Sequence, residues 1–420
     1  MQDQSSAKQA SPAQNKGIFT GIKVLAAVRV LAGPFCTYHF ALHGADVLTI
    51  ENPKEHDSMR TAAGDQGKEA GMALFKAGLG SGYISQNANK RAMTLNVASP
   101  GGQEIFRRLA SEADVVVENL IAGTMPRYGL GYEDLKKLNP KLIYCSLTGF
   151  GQTGPYARKA AIDMAIQAAS GMMTQTGTPE TGPLKVGFTL VDYTTGYAAA
   201  LAITSALYHR AITGQGQHID IAMLETAMSM NSVNTTRAAT TGALPKLAGN
   251  GSGHGGYVTD VFKCKEGYLS IATSTALRRQ KMFNAIGRPD LPEDPRFKTP
   301  ELARQNYPQL YAEIEKTLAS KTAIEWEDII LAGGAAAMAV RTMAQAVEHP
   351  QVKHRGYFHR FEEDPELGVM VVPKAPFQFS ETPAQIHSMP PRFGQHTDDV
   401  LKGLGYSEAD IARLRADGVV

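Results

Sequence analysis

The stretch SLTGFGQTGPYARKAAIDMAIQAASGMMTQTGTPETGPLKVG, residues 146–187, joins the end of one apolar strand to a Gly/Pro turn, a short helix and a second turn. The second turn, TGTPETGP, carries a single carboxylate, Glu180. Its glycines and prolines predict a tight turn, with no helix whose dipole the carboxylate could stabilise. A carboxylate displayed in this way faces either solvent or a substrate. Glu180 is therefore the first candidate for chemistry.

Upstream of this stretch, strand and helix patterns alternate. Apolar runs typical of buried strands occur at residues 21–32, 46–53, 114–120 and 141–148. Between them, Pro34 fits the first turn of a helix that Gly44 ends, and Ser99 followed by Pro100 predicts a helix N-cap and first position. This alternation predicts an α/β fold with an open, doubly wound parallel sheet, whose ligands bind at the carboxyl ends of the strands.

Downstream, residues 190–212 predict one long Ala-rich helix, and residues 217–223 predict another strand. The character changes near residue 247, where the glycine-rich segment GNGSGHGG, residues 249–256, precedes strands of a separate region. We expect a disordered tail at residues 1–16, because it is polar and lacks the apolar segment of a signal peptide. We expect a large domain from residues 17–224 and 331–420, and a small α+β domain from residues 225–330.

Composition excludes several classes of function. The 42 basic and 40 acidic side chains nearly balance, which gives no electrostatic reason to expect nucleic acid or a membrane surface. The most apolar run, residues 197–208, is shorter than the ~20 residues that span a bilayer. Cys36, Cys145 and Cys264 are isolated, without metal-ligand spacing, and are typical of buried thiols in a reducing compartment. We expect a cytoplasmic protein without a metal.

Two glycine-rich segments are candidates for cofactor sites. GFGQTG, residues 149–154, matches GxGxxG, but Pro155 follows at once and the motif ends a late strand, so it argues against nicotinamide or flavin binding. The loop at residues 249–256 lacks the Lys-Ser/Thr of a P-loop. A mobile lid over a reacting group and a plain surface loop both remain open for it.

Several motifs, in order along the chain, together resemble the class III CoA-transferases, the family of formyl-CoA and carnitine CoA-transferases (CaiB/BaiF type), whose fold also includes α-methylacyl-CoA racemase. The resemblance covers residues 19–415. The motifs are RVLAGPFC, GADVLTIENP, NANKR, DVVVENL, GFGQTGPY, TGTPETGPLKVG, TGQGQHIDIAM and GQHTDDVLKGLGYS.

The resemblance implies a Rossmann-like coenzyme A domain built from both ends of the chain, a smaller domain, and two subunits interlocked like chain links. It implies exchange of CoA between an acyl-CoA and a free organic (di)carboxylic acid through a mixed anhydride on an enzyme carboxylate. Carried over position by position, it implies CoA contacts at the following residues: Val30, Leu31, Ala32, Leu95, Asn119, Leu120 and Arg127. Arg127 suits a phosphate, which guanidinium binds in a bidentate geometry.

The sequence departs from the family at the nucleophile. The family has an aspartate in the second turn; counting from Thr176 places Glu180 there, whereas counting back from Gly182 places Thr181 there. Glutamate can perform the same anhydride chemistry but is one methylene longer. We therefore expect Glu180 to be the catalytic residue. The alternative is a non-catalytic CoA-binding subunit of a heteromeric transferase, in place of a homodimer.

An acyl-CoA racemase is a further alternative. The racemase branch pairs a histidine with an aspartate, because removal and return of an α-proton needs two groups on opposite faces. Here Ile162 occupies the place of the histidine, while Asp192 retains the second position. Leu31, where the formyl-CoA enzyme has a glutamine, argues against formate or oxalate as the acid substrate.

Overall fold

The computed structural model describes residues 17–61, 69–251, 258–362 and 364–420. The predicted disordered tail at residues 1–16 lies outside these residues, as does most of the predicted glycine-rich lid. The strands are β1 (Lys23–Ala27), β2 (Asp46–Glu51), β3 (Arg91–Thr94), β4 (Val115–Glu118), β5 (Ile143–Thr148), β6 (His218–Ala222), β7 (Thr259–Lys263), β8 (Tyr268–Ala272), β9 (Ala336–Ala339), β10 (Phe358–Arg360) and β11 (Val371–Pro373).

The α-helices are α1 (Ala32–Leu42), α2 (Glu69–Lys76), α3 (Ser81–Ile84), α4 (Pro100–Glu112), α5 (Thr124–Arg127), α6 (Tyr132–Leu135), α7 (Asp163–Ala169), α8 (Leu190–Thr213), α9 (Met223–Met230), α10 (Ser232–Thr241), α11 (Ala276–Ala285), α12 (Pro300–Gln305), α13 (Tyr307–Leu318), α14 (Ala323–Ala332), α15 (Met343–Val347), α16 (Pro350–His354), α17 (Thr397–Gly403) and α18 (Glu408–Ala416). Single 3₁₀ turns occupy Ser58–Arg60, Met172–Thr174 and Leu291–Glu293.

The chain divides into two compact units. The larger unit comprises Met1–Ser170, Gly187–Ser232 and Gly356–Val420; the smaller comprises Gly171–Val186 and Val233–Arg355. These units differ from the predicted domains in three places, the first being residues 225–232, which cluster with the larger unit. Residues 171–186, which carry Glu180, and residues 331–355 cluster with the smaller unit, because their backbone contacts are made there and not with the six-stranded sheet.

A six-stranded parallel sheet forms the centre of the larger unit, in the order β3-β2-β1-β4-β5-β6. The predicted parallel α/β sheet is thus confirmed. In β1 to β5, alternate residues are buried on opposite faces, which explains the nearly continuous apolar runs in the sequence. On one face Val24 and Val117 pack with α1 and α8; on the other Leu25 and Val116 pack with α4, α17 and α18.

Local signals set the helix boundaries as predicted. The Ser99 hydroxyl accepts a hydrogen bond from Gly102 N at 3.1 Å, and Pro100 is the first helical residue of α4. The long helix α8 ends one residue beyond the predicted limit. Gly196 lets α8 approach the start of α1, since a Cβ at this position would lie 2.8 Å from the Ala32 carbonyl oxygen.

The outer edge of β3 is covered by a segment distant in sequence. His396 N donates to Ala92 O at 2.9 Å, Thr94 N donates to the Thr397 hydroxyl at 3.0 Å, and Asn96 N donates to Val419 O at 2.8 Å. These bonds satisfy the backbone groups that an edge strand would otherwise expose. Residues 396–420 therefore complete the sheet on this side.

The smaller unit contains a three-stranded antiparallel sheet in the order β7-β8-β9. Helices α11, α13 and α14 pack on it, and their shared core includes Phe262, Phe283, Ile314 and Trp326. The indole N–H of Trp326 donates to Leu318 O at 2.9 Å, which satisfies its buried polar group. The unit therefore has a hydrophobic core of its own.

Candidate functional site

Side chains at and after the carboxyl ends of β1, β2, β3 and β4 enclose a cavity of about 270 Å³ in the larger unit. The strand order reverses between β1 and β4, so the connections leave these two neighbours in opposite directions. A reversal of this kind opens a crevice, which is where ligands of open α/β sheets bind. The cavity therefore lies where the sequence predicted a ligand.

The structure brings together some of the predicted CoA contacts. Val30, Leu95 and Leu120 line the cavity. Leu31 and Ala32 are buried at the start of α1, outside the lining. The turn after β1, residues 29–32, therefore lines the cavity through Arg29 and Val30.

Asn119 and Arg127 are next to lining residues of the cavity but are not part of the lining. The Asn119 side chain accepts from Arg29 N at 2.9 Å and donates to Arg29 O at 2.8 Å, so it fixes the turn after β1. Arg127 is exposed at the end of α5, where its guanidinium lies 5.4 Å from the ring centroid of Tyr128. Tyr128 lines the cavity, and Arg127 therefore places a positive charge beside it.

Polar lining residues that sequence analysis missed include Arg29, His56, Asp57 and Asn96. Arg29 has an exposed side chain, and its guanidinium lies 3.7 Å from the carboxylate of Glu55. Arg29 is the first residue of RVLAGPFC, His56 and Asp57 follow GADVLTIENP, and Asn96 lies near the end of the extended run that follows NANKR. Their position at or just after the ends of predicted strands is the signal that could have identified them.

Val30 has an unusual backbone conformation. Its φ is +67°, and among the described non-glycine residues only Asn89 shares a positive φ. Asparagine tolerates this left-handed region, whereas a β-branched residue there is an outlier that costs about 1–2 kcal/mol. The conformation therefore persists only because surrounding groups enforce it.

Two side chains hold the Val30 peptide groups. Asp57 Oδ2 accepts from Val30 N at 3.0 Å, and Gln86 Nε2 donates to Val30 O at 2.8 Å. The other Asp57 oxygen accepts from Met59 N at 2.9 Å. Burial raises the pKa of Asp57 above its ordinary value, against the effect of these backbone bonds.

Beneath Asp57 lies a buried ion pair. Arg60 and Glu51 make two hydrogen bonds, from Nε at 2.9 Å and from Nη2 at 2.5 Å, and both side chains are almost fully buried. Arg60 also donates to Tyr83 Oη at 2.7 Å and to the carbonyl oxygens of Gly78 and Pro391. The guanidinium thus joins four segments of the larger unit under the cavity.

Lys90 of the NANKR motif supports the start of α1. Its buried ammonium donates to Pro34 O at 2.7 Å and to Asn87 Oδ1 at 2.9 Å. Burial lowers the pKa of Lys90 to about 7, because loss of hydration disfavours the charged ammonium. Lys90 therefore fixes the backbone directly after the predicted CoA-contacting turn.

Glu180 lies exposed in a turn of the smaller unit, residues 176–184. Gly182 N donates to Thr178 O at 2.9 Å, and Leu184 N donates to Thr176 O at 3.1 Å. A Cβ at Gly177 would lie 2.1 Å from Gly182 O, so only glycine fits there. A hydrogen bond from Thr178 lowers the pKa of Glu180, which is therefore ionised at neutral pH.

Thr181, the other candidate for the family's aspartate position, has a structural task. Its hydroxyl accepts a hydrogen bond from Thr178 N at 2.8 Å, inside the same turn. Of the two candidates, Glu180 alone offers a carboxylate, and this carboxylate is exposed.

Asp192, the residue retained from the racemase pattern, lies in the first turn of α8. Capping of α8 falls to Asp163, whose Oδ2 accepts from Val191 N at 2.7 Å and Asp192 N at 3.1 Å. Burial, with the Asp163 charge beside it, raises the pKa of Asp192 to about 6. Ile162, at the racemase histidine position, is exposed and cannot move a proton.

Glu118 ends β4 in a buried network. One of its oxygens accepts from Leu120 N at 2.9 Å, and Ser146, which hydrogen-bonds it, also lies 3.1 Å from His218 Nε2. Burial, followed by the negative charge of Asp220, raises the pKa of Glu118 to about 7. Ionisation is therefore less favourable in the folded chain than in the unfolded chain.

This shift predicts a pH-dependent stability. The free energy of unfolding should be highest below the ordinary glutamate pKa and should fall by up to about 3 kcal/mol as the pH rises through 7. Glu118→Gln should remove this decrease in urea unfolding measured between pH 5 and pH 8. Glu112→Gln, at an exposed position, is the control. Parallel curves for Glu118→Gln and the unchanged chain would contradict the shift.

Within the described ranges, no group of three His, Cys, Asp or Glu side chains could hold a metal ion. The helices described also include none that is both long and apolar enough to cross a bilayer.

Comparison with known proteins identifies the family. The family model of CoA-transferase family III matches residues 19–397. Human succinyl-CoA:glutarate CoA-transferase is 32% identical over 414 residues, covering 95% of this chain and 89% of the relative. The β subunit of succinyl-CoA–L-malate CoA-transferase from Chloroflexus aurantiacus is 30% identical, covering 95% and 97%.

Solved structures agree with this. A CaiB/BaiF family protein from Brucella suis matches with a TM-score of 0.80 and 32% identity, over 93% of this chain and 100% of that chain. The family resemblance predicted from the motifs is thereby confirmed: the chain belongs to CoA-transferase family III.

Proposed function

We propose that this enzyme moves CoA from an acyl-CoA to a free organic acid, with Glu180 as the covalent nucleophile. The observation that carries the assignment of Glu180 is the turn at residues 176–184. It displays an ionised carboxylate to solvent while Thr181, the competing position, is hydrogen-bonded within the turn. A carboxylate of this kind is a competent nucleophile toward a thioester.

Each step of the proposed reaction exchanges one acyl bond for another. An oxygen of Glu180 attacks the thioester carbon, the C–S bond breaks, and CoA leaves as the thiolate, which yields a mixed anhydride. The thiolate attacks the glutamyl carbonyl, which releases the donor acid and leaves a glutamyl thioester. The acceptor carboxylate then displaces the thiolate, and the thiolate takes up the acceptor acyl group, which restores Glu180.

The cavity at the switch point is the proposed binding site of CoA. Val30, Leu95 and Leu120 provide apolar contacts, and Arg29 and Arg127 provide positive charge for phosphate oxygens. Binding energy from this distant part of the substrate can be used at the reacting carbon. Arg29 is an addition to the residues predicted from the sequence.

The proposed acceptor is a dicarboxylic acid. The two relatives compared above are named for glutarate and for L-malate, both dicarboxylates. The name of the second relative, a β subunit, also supports the alternative of a CoA-binding subunit in a heteromeric transferase.

Three free, buried cysteines fit a reducing compartment such as the cytoplasm.

One trapping experiment separates enzyme from silent subunit. The purified chain is incubated with succinyl-CoA, quenched with hydroxylamine, and digested for mass spectrometry. We expect a hydroxamate on Glu180, because anhydride and glutamyl thioester both react with hydroxylamine at the glutamyl carbonyl. CoA binding without any adduct would instead support the silent subunit.

We propose that the enzyme is an interlocked homodimer. Along α8, Leu201, Tyr208 and Ile212 are each about 70% exposed, and with Tyr197 they follow helical spacing along one face. A cavity of about 310 Å³ beside this face is lined mostly by aromatic side chains, including Phe377 and Phe379. An apolar surface of this kind favours burial against a second copy of the chain.

Leu201→Glu should therefore weaken the dimer. Each interface of a two-fold dimer contains the change twice, so we expect the dissociation constant to rise by at least about 100-fold. Sedimentation equilibrium measures it. Leu138→Glu, at another exposed leucine of the larger unit, is the matched control and should leave the mass unchanged. A dimer unaffected by Leu201→Glu would exclude this face from the interface.

A further inference from the structure

We infer that Gln86 and Asp57 are positioning residues for CoA binding, because they hold Val30 in its left-handed backbone conformation. This inference rests on the proposed function, which places CoA against the turn at residues 29–32. Neither residue belongs to the contacts predicted from the family motifs. Their action on CoA is through the Val30 peptide groups.

The two side chains hydrogen-bond to the two backbone groups of Val30, its N–H and its carbonyl oxygen. Asp57 Oδ2 accepts from Val30 N at 3.0 Å, and Gln86 Nε2 donates to Val30 O at 2.8 Å. A valine released from these bonds would return to the extended region, because a β-branched side chain is disfavoured at positive φ. That rotation would reorient the peptide groups on both sides of Val30 and so reshape the cavity wall.

Gln86 is a buried residue whose side chain hydrogen-bonds to Val30. It is 1% exposed, and its Nε2–H donates into the turn, while its Oε1 has no hydrogen-bond partner within the described part of the chain. A buried glutamine with one unsatisfied oxygen contributes less to stability than a satisfied one. The Val30 contact is therefore its one hydrogen bond among the side-chain bonds described.

Asp57 is held in place from below. Its second oxygen accepts from Met59 N, and its backbone N–H points to Glu51 Oε2 at 3.4 Å, in the buried pair with Arg60. The support of Val30 N thus rests on a rigid, buried framework. Strain at Val30 and its restraint both lie at the switch point, where the ligand cavity is.

The test is a double-mutant cycle with glycine at position 30, since glycine adopts positive φ without strain. Gln86→Met preserves side-chain length and removes the donor. In the Val30 background we expect it to raise the KM for succinyl-CoA roughly tenfold, the factor that about 1.4 kcal/mol of strain represents, with kcat little changed. In the Val30→Gly background the same substitution should change KM less than about twofold.

Further variants keep the outcome decisive. In the Val30→Asn background, Gln86→Met should change KM as little as it does in the Val30→Gly background, since asparagine tolerates the left-handed region. In the Val30→Ala background, Gln86→Met should still raise KM, as it does when valine is present. If Gln86→Met does not fold, Asp57→Asn replaces it in the cycle, because an amide cannot accept from both Val30 N and Met59 N. Gln280→Leu, on the surface of the smaller unit, is the control.

Calorimetric titration with CoA accompanies the kinetics. Equal effects of Gln86→Met in the valine and glycine backgrounds, with CoA bound normally by the unchanged chain, would overturn the positioning role alone. Failure of the unchanged chain to bind CoA would overturn both the role and the proposed function. Loss of the effect in the glycine background supports the role, since a general loss of stability would persist there.

Discussion

Replacing Glu180 with glutamine should abolish CoA transfer, lowering kcat by more than about 10⁴-fold, as removal of a covalent nucleophile does in other enzymes. The amide has the same shape, but its oxygen is too weak a nucleophile to attack a thioester. Because the pKa of Glu180 is lowered, the unchanged enzyme should keep its carboxylate ionised well below neutral pH. Initial rates of succinyl-CoA consumption with glutarate measure the effect.

The length of the side chain provides a second, graded result. Glu180→Asp should lower kcat by about 100-fold, because it withdraws the oxygens by one methylene and reacting groups tolerate displacements well below 1 Å. Glu266→Gln, at an exposed position of the same unit, should leave the rate unchanged. Retention of activity by Glu180→Gln would remove Glu180 from the mechanism and assign the nucleophile to another residue of this chain.

Arg60→Met should destabilise the larger unit by about 3–5 kcal/mol. The substitution keeps most of the buried volume but leaves the Glu51 carboxylate buried without its partner, which is the costly way to break an ion pair. It also removes the donors to Tyr83 and to the Gly78 and Pro391 carbonyl oxygens. Urea unfolding followed by circular dichroism gives the change in free energy.

Two further variants separate burial from charge. Arg91→Met removes an exposed ion pair with Asp46 and should cost less than about 1 kcal/mol. Adding Glu51→Gln to Arg60→Met should restore part of the lost stability, since the unpaired charge is gone. If the single variants at Arg60 and Arg91 cost the same, burial of the first pair would have no energetic weight.

Sequence patterns were sufficient to predict the sheet of the larger unit, because each of its strands can be recognised from its own residues and the turn residues beside them. The strands within residues 46–53 and 114–120 are buried on both faces, and Ser99 with Pro100 specifies the start of α4 without help from distant residues. The alternation with helices indicates that the strands are parallel. The cavity at their carboxyl ends was predictable for the same reason.

The support of the site was not predictable. Asp57 and Gln86 meet at Val30 from 27 and 56 residues away, and the Arg60 bond to Pro391 joins residues 331 apart. Periodicity carries no information on such pairings, because any polar side chain in a loop has the same local signature. The positive φ of Val30 is the clearest example, since valine itself favours extended backbone.

The covering of β3 by residues 396–420 affects how the chain folds during translation. Thr94 N donates to the hydroxyl of Thr397, which is synthesised 303 residues later. The outer edge of β3 in the growing polypeptide therefore lacks this partner while those residues are translated. Nascent sheets in this condition recruit chaperones or pair with one another. Removal of residues 396–420 should therefore yield inclusion bodies, even though the shortened chain keeps Glu180 and the residues that line the cavity.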